Sequence, residues 1–461
     1  MARQRLSPTD MEALRHALWA PQQPQQDVDR WMQQGFVFQL RDAAEFPLGL
    51  VQGHGGPCGV LAGVQAEILR LYLFPERDNR TLDERKASLT KKMDEETQYE
   101  WLAHALASIL VRCARKGATS ELSVHVVVPA TAEDSAIRGL HGDFDELVFQ
   151  VLKSDNTALV EFLCHHRGAF KSPIGVVLFM LSVLRTKSLA QLREEMDDMD
   201  STLTGQFGHC GQEILNLLLT GVASSNVFDG EVPMGDTGLM LRGVQQRPQI
   251  GYLTQLEALR YCQVGSYYKS PQFPVWVIGS SSHFSVCFGL DMNLCEASVS
   301  QMLFQRVQRV FKSLDPIEAG FIEISNLVES LKQLGVSTEI TSNEFWMSRV
   351  CSQLEVSGAG IILWDDYWKV VSVLLHTNDL ELALSGEYAR SSALSRPKSD
   401  EEIAKELQAQ FDAEGGGQLR NTPMSEASDH HQSNSPPMFE LFYYNGLVRP
   451  SGSDSLQPPL L

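Results

Sequence analysis

Residues 52–74 read QGHGGPCGVLAGVQAEILRLYLF, and this junction limits the possible folds more than any other stretch. Three glycines and Pro57 interrupt regular structure just before Cys58. The apolar positions that follow, Val60, Leu61, Val64, Ile68, Leu69 and Tyr72, keep helical spacing. The spacing predicts a helix from about Pro57 to Leu73, with proline in the first turn, where its missing N–H leaves nothing unpaired. Cys58 then sits at the helix N-terminus. Unbonded amides and the positive end of the helix dipole favour a thiolate there, so the thiol pKa is expected to fall. The same amides suit an oxyanion, and the glycines let the backbone approach a substrate closely. On the loop alone, a tight turn beside a small buried cysteine is the competing reading.

Other uses of such a loop fail on residue type. A phosphate-binding P-loop needs a Lys and a hydroxyl after its glycines, and Pro-Cys-Gly-Val supplies neither. A dinucleotide G-x-G-x-x-G counted from Gly53 and Gly55 needs glycine at Cys58. Zinc finds only His54 beside Cys58, and Cys164-His165-His166 falls on a predicted helix, where neighbours point apart. No H-E-x-x-H occurs, so neither metal nor cofactor is expected. Acidic residues outnumber basic ones 57 to 38, a net charge of −19, which argues against a nucleic-acid partner. The longest apolar run, Ile174–Leu184, is too short to cross a membrane, and the first twenty residues lack a leader's apolar core. Eight scattered cysteines without a C-x-x-C pair suit reduced thiols, hence cytoplasm or nucleus.

Further helices are predicted over 8–19, 100–116, 157–190, 211–221 (closed by Gly221) and 252–262. RWMQQGFVFQL reads as a short β-rich stretch, ELSVHVVV as a strand, and residues 273–290 as a hairpin around Gly-Ser-Ser-Ser. Residues 76–99 read as a charged loop with helical tendency, and the acidic run 194–200 as a solvated face. Two helical runs over 303–335 flank DPIEAGFIEISN. Residues 388–437 are rich in Ser, Gly, Pro and charge and are expected to be disordered, and MFELFYYNGL reads as a last strand.

A cysteine nucleophile needs a base, often distant in sequence. His283 opens HFSVCF after a turn, so its ring is placed at a strand end. His104 and His125 lie within apolar patterns, His430 and His431 in the polar segment, and His54 reads as a solvated loop residue. Cys287 reads as packed core. Counted as an EF-hand loop, 315–326 has Asp315, Gly320 and Ile322 where the turn needs them. Ile317 and Ala319 offer no side-chain oxygen, however, and Asn326 cannot chelate as glutamate does, so tight calcium binding is not expected.

GGPCGVLAGVQA, GVVLFMLSVLRTK, ILNLLLTGVASSNVFDG, YYNGL and above all GYLTQLEALRYCQVGSYYKSPQFPVWVIGSSSHFSV resemble the MINDY deubiquitinases, in the branch with an EF-hand-like insertion. The resemblance runs from about Leu18 to Leu447, broken near 76–100 and 388–437; beyond it the family pattern continues where this sequence reads VRPSGSDSLQPPLL. It implies an α+β fold, a papain-like cysteine protease-related catalytic domain with a helical EF-hand-like insertion. The implied layout is a catalytic domain over 1–300, the insertion over 301–387, a disordered insert over 388–437, and the terminal strand with its tail over 438–461. It further implies thiol-dependent hydrolysis of lysine-48-linked polyubiquitin, with Cys58 as nucleophile, His283 as general base and acid, and Gln52, six residues before Cys58, in the oxyanion hole. The implied partners are polyubiquitin and ubiquitinated proteins. Asn445 is a candidate to orient His283 by the papain analogy, with a turn-forming Asn-Gly as the alternative. A ubiquitin-binding protein of impaired catalysis is the competing function.

Overall fold

The computed structural model describes residues 3–39, 46–53, 55–75, 77–114, 123–130, 147–153, 156–234, 237–295, 299–315, 319–385 and 440–447. The expected disordered insert, His54, Ile317, His430 and His431 lie outside them. The chain divides into two units, Met1–Glu296 with Phe439–Leu461, and Ala297–Met438.

In the first unit, β1 (Leu50–Val51) leads through the glycine loop into α1 (Cys58–Leu73). Its helical spacing of apolar residues is met on every side: α1 is buried along nearly its whole length and packs on α2 (Glu95–Ala114). A helix buried on every side belongs inside a core, and its few polar residues must then find partners there. The antiparallel strands β2 (Ser123–Pro129) and β3 (Leu147–Lys153) pair with Val127 opposite Phe149. On β2 lies α3 (Gly175–Lys187), where Ser182 Oγ accepts the Val127 amide at 2.8 Å and Thr186 Oγ1 the His125 amide at 2.9 Å. The apolar run from Ile174 is therefore a buried core helix. It is one of four helices within 156–195, so the single helical stretch expected over 157–190 is broken by turns. α4 (Gln212–Thr220) packs on α1 and α2 and ends at Gly221 in the left-handed conformation, as its sequence requires.

A mixed sheet completes this unit. β4 (Gly251–Thr254) runs parallel to β5 (Val275–Gly279), β5 forms a hairpin with β6 (Phe284–Gly289), and β7 (Leu441–Tyr444) adds antiparallel to β6, with Tyr443 opposite Cys287. Here the expectation of a helix over 252–262 fails. Gly251–Thr254 is strand, and only Gln255–Ala258 turns helical. Backbone pairing with β5 and burial of Tyr252 outweigh the helical spacing, whose Leu256 and Leu259 are left exposed. RWMQQGFVFQL is also divided. Arg30–Met32 end a helix, Gln25–Met32, and only Val37–Phe38 are extended, because Asp27, Val28 and Trp31 share one buried helical face.

The second unit has its own core of Val307, Phe311, Ile322, Ile362, Tyr367 and Val371. Phe321–Glu323 pairs antiparallel with Ile361–Leu363, Ile322 opposite Ile362. The two turns before these strands match each other. Asp315 accepts the amides of Ala319 and Gly320 at 2.9 and 2.8 Å, and Glu355 accepts that of Gly360 at 3.1 Å. Ile324 donates to the Gly360 carbonyl and Trp364 to that of Gly320, at 2.9 and 3.1 Å. The second turn escapes a sequence count because it begins with Glu and carries few ligand oxygens.

Candidate active site

Cys58 is the first residue of α1, and Pro57 caps it. Gly56 before them has φ +119°, a conformation side-chain-bearing residues rarely adopt, and a Cβ there would meet the Trp31 indole at 3.1 Å. The indole N–H is tied to the Gly208 carbonyl at 2.8 Å, so the loop is wedged against a buried wall. The Cys58 sulfur faces the amides of Phe284, Gly59 and Cys58 itself. The helix start thus presents donors as the sequence predicts. The expected fall in thiol pKa is nonetheless contradicted: burial pushes the thiol up, and these amides offset only part of it. Cys58 is 3% exposed, too dry for a thiolate without further help.

Gln52 directly follows β1, and the backbone on both sides of it is anchored. The Leu50 amide donates to Gln65 Oε1 at 2.7 Å, and the Leu50 carbonyl accepts the Tyr444 hydroxyl at 2.7 Å. Gln34 Nε2 donates to the Val51 carbonyl, and its Oε1 accepts the Gly53 amide. The Gln52 amide donates to the Gly446 carbonyl at 2.8 Å. Gln34 and Gln65 brace the site and were missed in the sequence. Gln65 carries a weak signal, a polar residue among the apolar positions of α1; Gln34 carries none. Gln52 and Cys58 line one narrow cleft, with Phe284, Asn445 and Gly446 also in its lining.

His283 directly precedes β6 and is half-buried. Its amide donates to Ser280 Oγ at 3.1 Å, and its carbonyl accepts the Ser280 amide at 2.9 Å, closing the turn between β5 and β6. The next residue, Phe284, is the one whose amide faces the Cys58 sulfur. His283 Nε2 lies 2.7 Å from the backbone carbonyl of Asn445. Asn445 thus meets His283 through its main chain and not through the side chain that the papain analogy calls for. Its side-chain Oδ1 accepts the Leu447 amide instead.

The remaining sequence candidates fall elsewhere. His166 takes up Arg3 at 2.8 Å and stacks on Phe162, and His125 stacks on Phe149. Among the described residues, no cluster of His, Cys, Asp and Glu is grouped to hold a metal ion. Cys210 is unexpected: its sulfur also points at the Gly56 carbonyl, and burial keeps it protonated.

The family profile described as "Deubiquitinating enzyme MINDY-3/4, conserved domain" matches residues 20–307. The chain belongs to this family. It is a deubiquitinating hydrolase, and ubiquitin or ubiquitinated proteins are its partners. Human "Ubiquitin carboxyl-terminal hydrolase MINDY-3" is 34% identical over 358 residues, covering 72% of this chain and 75% of the relative. Mouse "Probable ubiquitin carboxyl-terminal hydrolase MINDY-4" is 38% identical over 282 residues, 60% of this chain and 36% of the relative. The Drosophila melanogaster "Ubiquitin carboxyl-terminal hydrolase MINDY-3 homolog" is 29% identical over 411 residues, 78% and 69%. No solved structure gives a significant match. The region matched by the MINDY-3/4 profile contains Gln52, Cys58 and His283, while β7 and Asn445 lie beyond it.

Proposed function

We propose that this MINDY-3/4-family enzyme cleaves isopeptide bonds in polyubiquitin through a thioester on Cys58, with His283 as base and acid and Gln52 in the oxyanion hole. One observation carries the reading: the Cys58 sulfur, ringed by three backbone amides, shares a cleft with Gln52 beside the strand that His283 opens. The thiol proton passes to His283, and the sulfur attacks the carbonyl of ubiquitin's last glycine. The amides at the start of α1, with the Gln52 side chain, hold the oxyanion that forms. His283 then protonates the leaving lysine amine, and water resolves the thioester. Cysteine at a helix start and histidine at a strand end make this a papain-like arrangement. Preference for lysine-48 linkages rests on the family resemblance. The matched turns and paired Ile322 and Ile362 support a reading of the second unit as a pair of EF-hand-like turns without a calcium role. The scattered free cysteines fit a reducing cytoplasm or nucleus.

The buried, protonated thiol favours a second reading, a ubiquitin-binding protein of impaired catalysis. One experiment separates the two. Ubiquitin with an electrophilic C-terminus is incubated with the protein, with Cys58→Ala and with His283→Ala. A covalent adduct on the unaltered protein, lost in Cys58→Ala, supports the enzyme. Binding without an adduct supports the second reading.

A further inference from the structure

We propose that Phe207 is a substrate contact, its exposed ring receiving an apolar side chain of ubiquitin's C-terminal tail just before the two final glycines. The proposal rests on the assignment of Cys58 as nucleophile and goes beyond it in naming a residue that sets substrate affinity.

Phe207 stands in a conformation that its side chain disfavours. Its φ is +59° and its ψ +20°, and Gly208 after it has φ +67°. Glycine suits the second position, where a Cβ would come 3.1 Å from that of Asp27. For two successive residues of positive φ the preferred pair is Asn-Gly, and a bulky phenylalanine in the left-handed region is an outlier. The ring gains little from the fold in return: it meets His209 edge-on, 6.4 Å between centroids, and the residue is 58% exposed. Strain and exposed apolar surface at one residue point to service of a ligand rather than of the fold.

The loop that carries the ring is built firmly. Thr204 and Cys210 form an antiparallel bridge, the Gly205 amide donates to the His209 carbonyl at 2.9 Å, and the Gly208 amide to the Gly205 carbonyl at 3.1 Å. Arg30 donates to the Phe207 carbonyl at 2.5 Å, and Trp31 Nε1 to that of Gly208 at 2.8 Å. The same loop abuts the residues on both sides of Cys58. A Cβ on Gly56 would lie 3.5 Å from the Gly208 carbonyl oxygen, and one on Gly59 would lie 2.9 Å from the Cys210 Cβ. From Cys58 to Phe207 is then at most about six residues of extended chain, at about 3.3 Å each, within reach of a tail whose last carbonyl sits on the sulfur. His283 serves the leaving lysine beside β6, so the acyl part of the substrate, the ubiquitin tail, is left to the side that this loop braces.

The test separates a ligand contact from a packing residue. Phe207→Asn removes the ring and supplies a residue that tolerates the left-handed conformation, whereas Phe207→Tyr keeps both ring and strain. Cleavage is measured on ubiquitin carrying a C-terminal fluorophore and on lysine-48-linked diubiquitin, with melting temperatures alongside. In Phe207→Asn the melting temperature is expected to hold or rise, while KM for both substrates rises about tenfold, the scale of a lost aromatic anchor, and kcat stays within about twofold. Phe207→Tyr should keep the parent's KM. A KM in Phe207→Asn within about twofold of the parent's overturns the proposal. So does a lower melting temperature, which would make the ring part of the packing. A KM rise confined to diubiquitin places Phe207 against the leaving ubiquitin and overturns the assignment to the tail. Cleavage by the unaltered protein with KM unchanged in Phe207→Asn removes this proposal alone; no cleavage of either substrate removes the enzyme reading and this proposal with it.

Discussion

Cys58 and Cys210 turn their sulfurs to one oxygen, the Gly56 carbonyl, at 3.9 and 3.6 Å. Burial pushes both thiols up. They differ in what else reaches the sulfur. Cys58 meets the Phe284 amide and lines the cleft with Gln52, whereas Cys210 meets the Gly59 and Val60 amides and its own. Electrophilic ubiquitin is therefore predicted to modify Cys58 alone. Cys210→Ala should keep the adduct and lose about 1 kcal/mol of stability, an ordinary value for a small buried side chain. Peptide mapping by mass spectrometry reads the modified residue, and an adduct on Cys210 reverses the assignment.

The raised Cys58 pKa predicts a pH dependence with a definite sign. A thiol held above its ordinary value of 9.0 is still protonated at neutral pH. Alkylation of the free enzyme by iodoacetamide should be slow at pH 7 and climb without a plateau through pH 9. For folding, the unfolded chain ionises first. The stability this group contributes is present below pH 9.0 and is lost as pH rises through the higher folded value. A Cys58 alkylation rate that levels off below pH 7 would contradict the burial argument.

Gln52→Ala tests the oxyanion assignment. The Gln52 backbone is fixed by Gly446 and by Gln34 on the residues either side, so the substitution removes the side chain with little movement of the strand. Losing one oxyanion donor costs about 10²–10³ in kcat. That loss is expected here with KM unchanged, measured on defined ubiquitin chains. A change confined to KM would make Gln52 a binding residue instead.

Glu67 is fully buried on α1, about two and a half turns beyond Cys58, and its charge is met by Arg70, Arg112 and Ser108 at 2.5, 2.6 and 2.6 Å. Burial pushes its pKa up, but Arg112 and Arg70 pull harder and hold it at about 2, against an ordinary 4.5. The depressed value means stability that is present above pH 4.5 and lost as pH falls toward 2. Arg112 also donates to the Leu218 carbonyl, so the cluster ties α1, α2 and α4 together. Glu67→Gln leaves two buried guanidiniums without their counter-charge and should cost about 3–5 kcal/mol, the usual penalty for breaking a buried ion pair. Urea denaturation at pH 7 measures it, and the variant should lose the parent's drop in stability below pH 4.5. A cost under 1 kcal/mol would mean the cluster relaxes around its missing charge.

These features were unequally legible in the sequence. The start of α1 was readable because proline, glycine and helical apolar spacing act locally, and they agree on Cys58. The hairpin that presents His283 was readable for the same reason. Gly251–Thr254 was not, because its strand exists through pairing with β5, and spacing within 252–262 holds no record of that partner. The sign of the Cys58 shift was also out of reach: the helix-start amides are local, but the burial that outweighs them comes from packing across the whole unit. Asn445 was a candidate by analogy, yet the atom that meets His283 is a main-chain oxygen 162 residues away, and a main-chain atom leaves no signature in residue type.

The second unit predicts a null response to calcium. In the first turn Asp315 spends its carboxylate on the amides of Ala319 and Gly320, and the alanine and asparagine at 319 and 326 supply no chelating carboxylate. In the second, Glu355 accepts the Gly360 amide, and Asp366, which closes that turn, is paired with Lys369 at 2.9 Å. Both turns hold their shape by internal hydrogen bonds and by the Ile322–Ile362 pair. A site with micromolar affinity would gain about 4 kcal/mol from millimolar ion, enough to raise a melting temperature by several degrees. The expected shift on adding 1 mM calcium after chelator treatment is under about 1 °C, the scale of a negligible linkage term. Asp315→Ala should instead unfold this unit earlier with or without the ion, because its carboxylate serves the turn. A calcium-dependent rise in the unaltered protein that Asp315→Ala abolishes would show that the carboxylates bind metal after all.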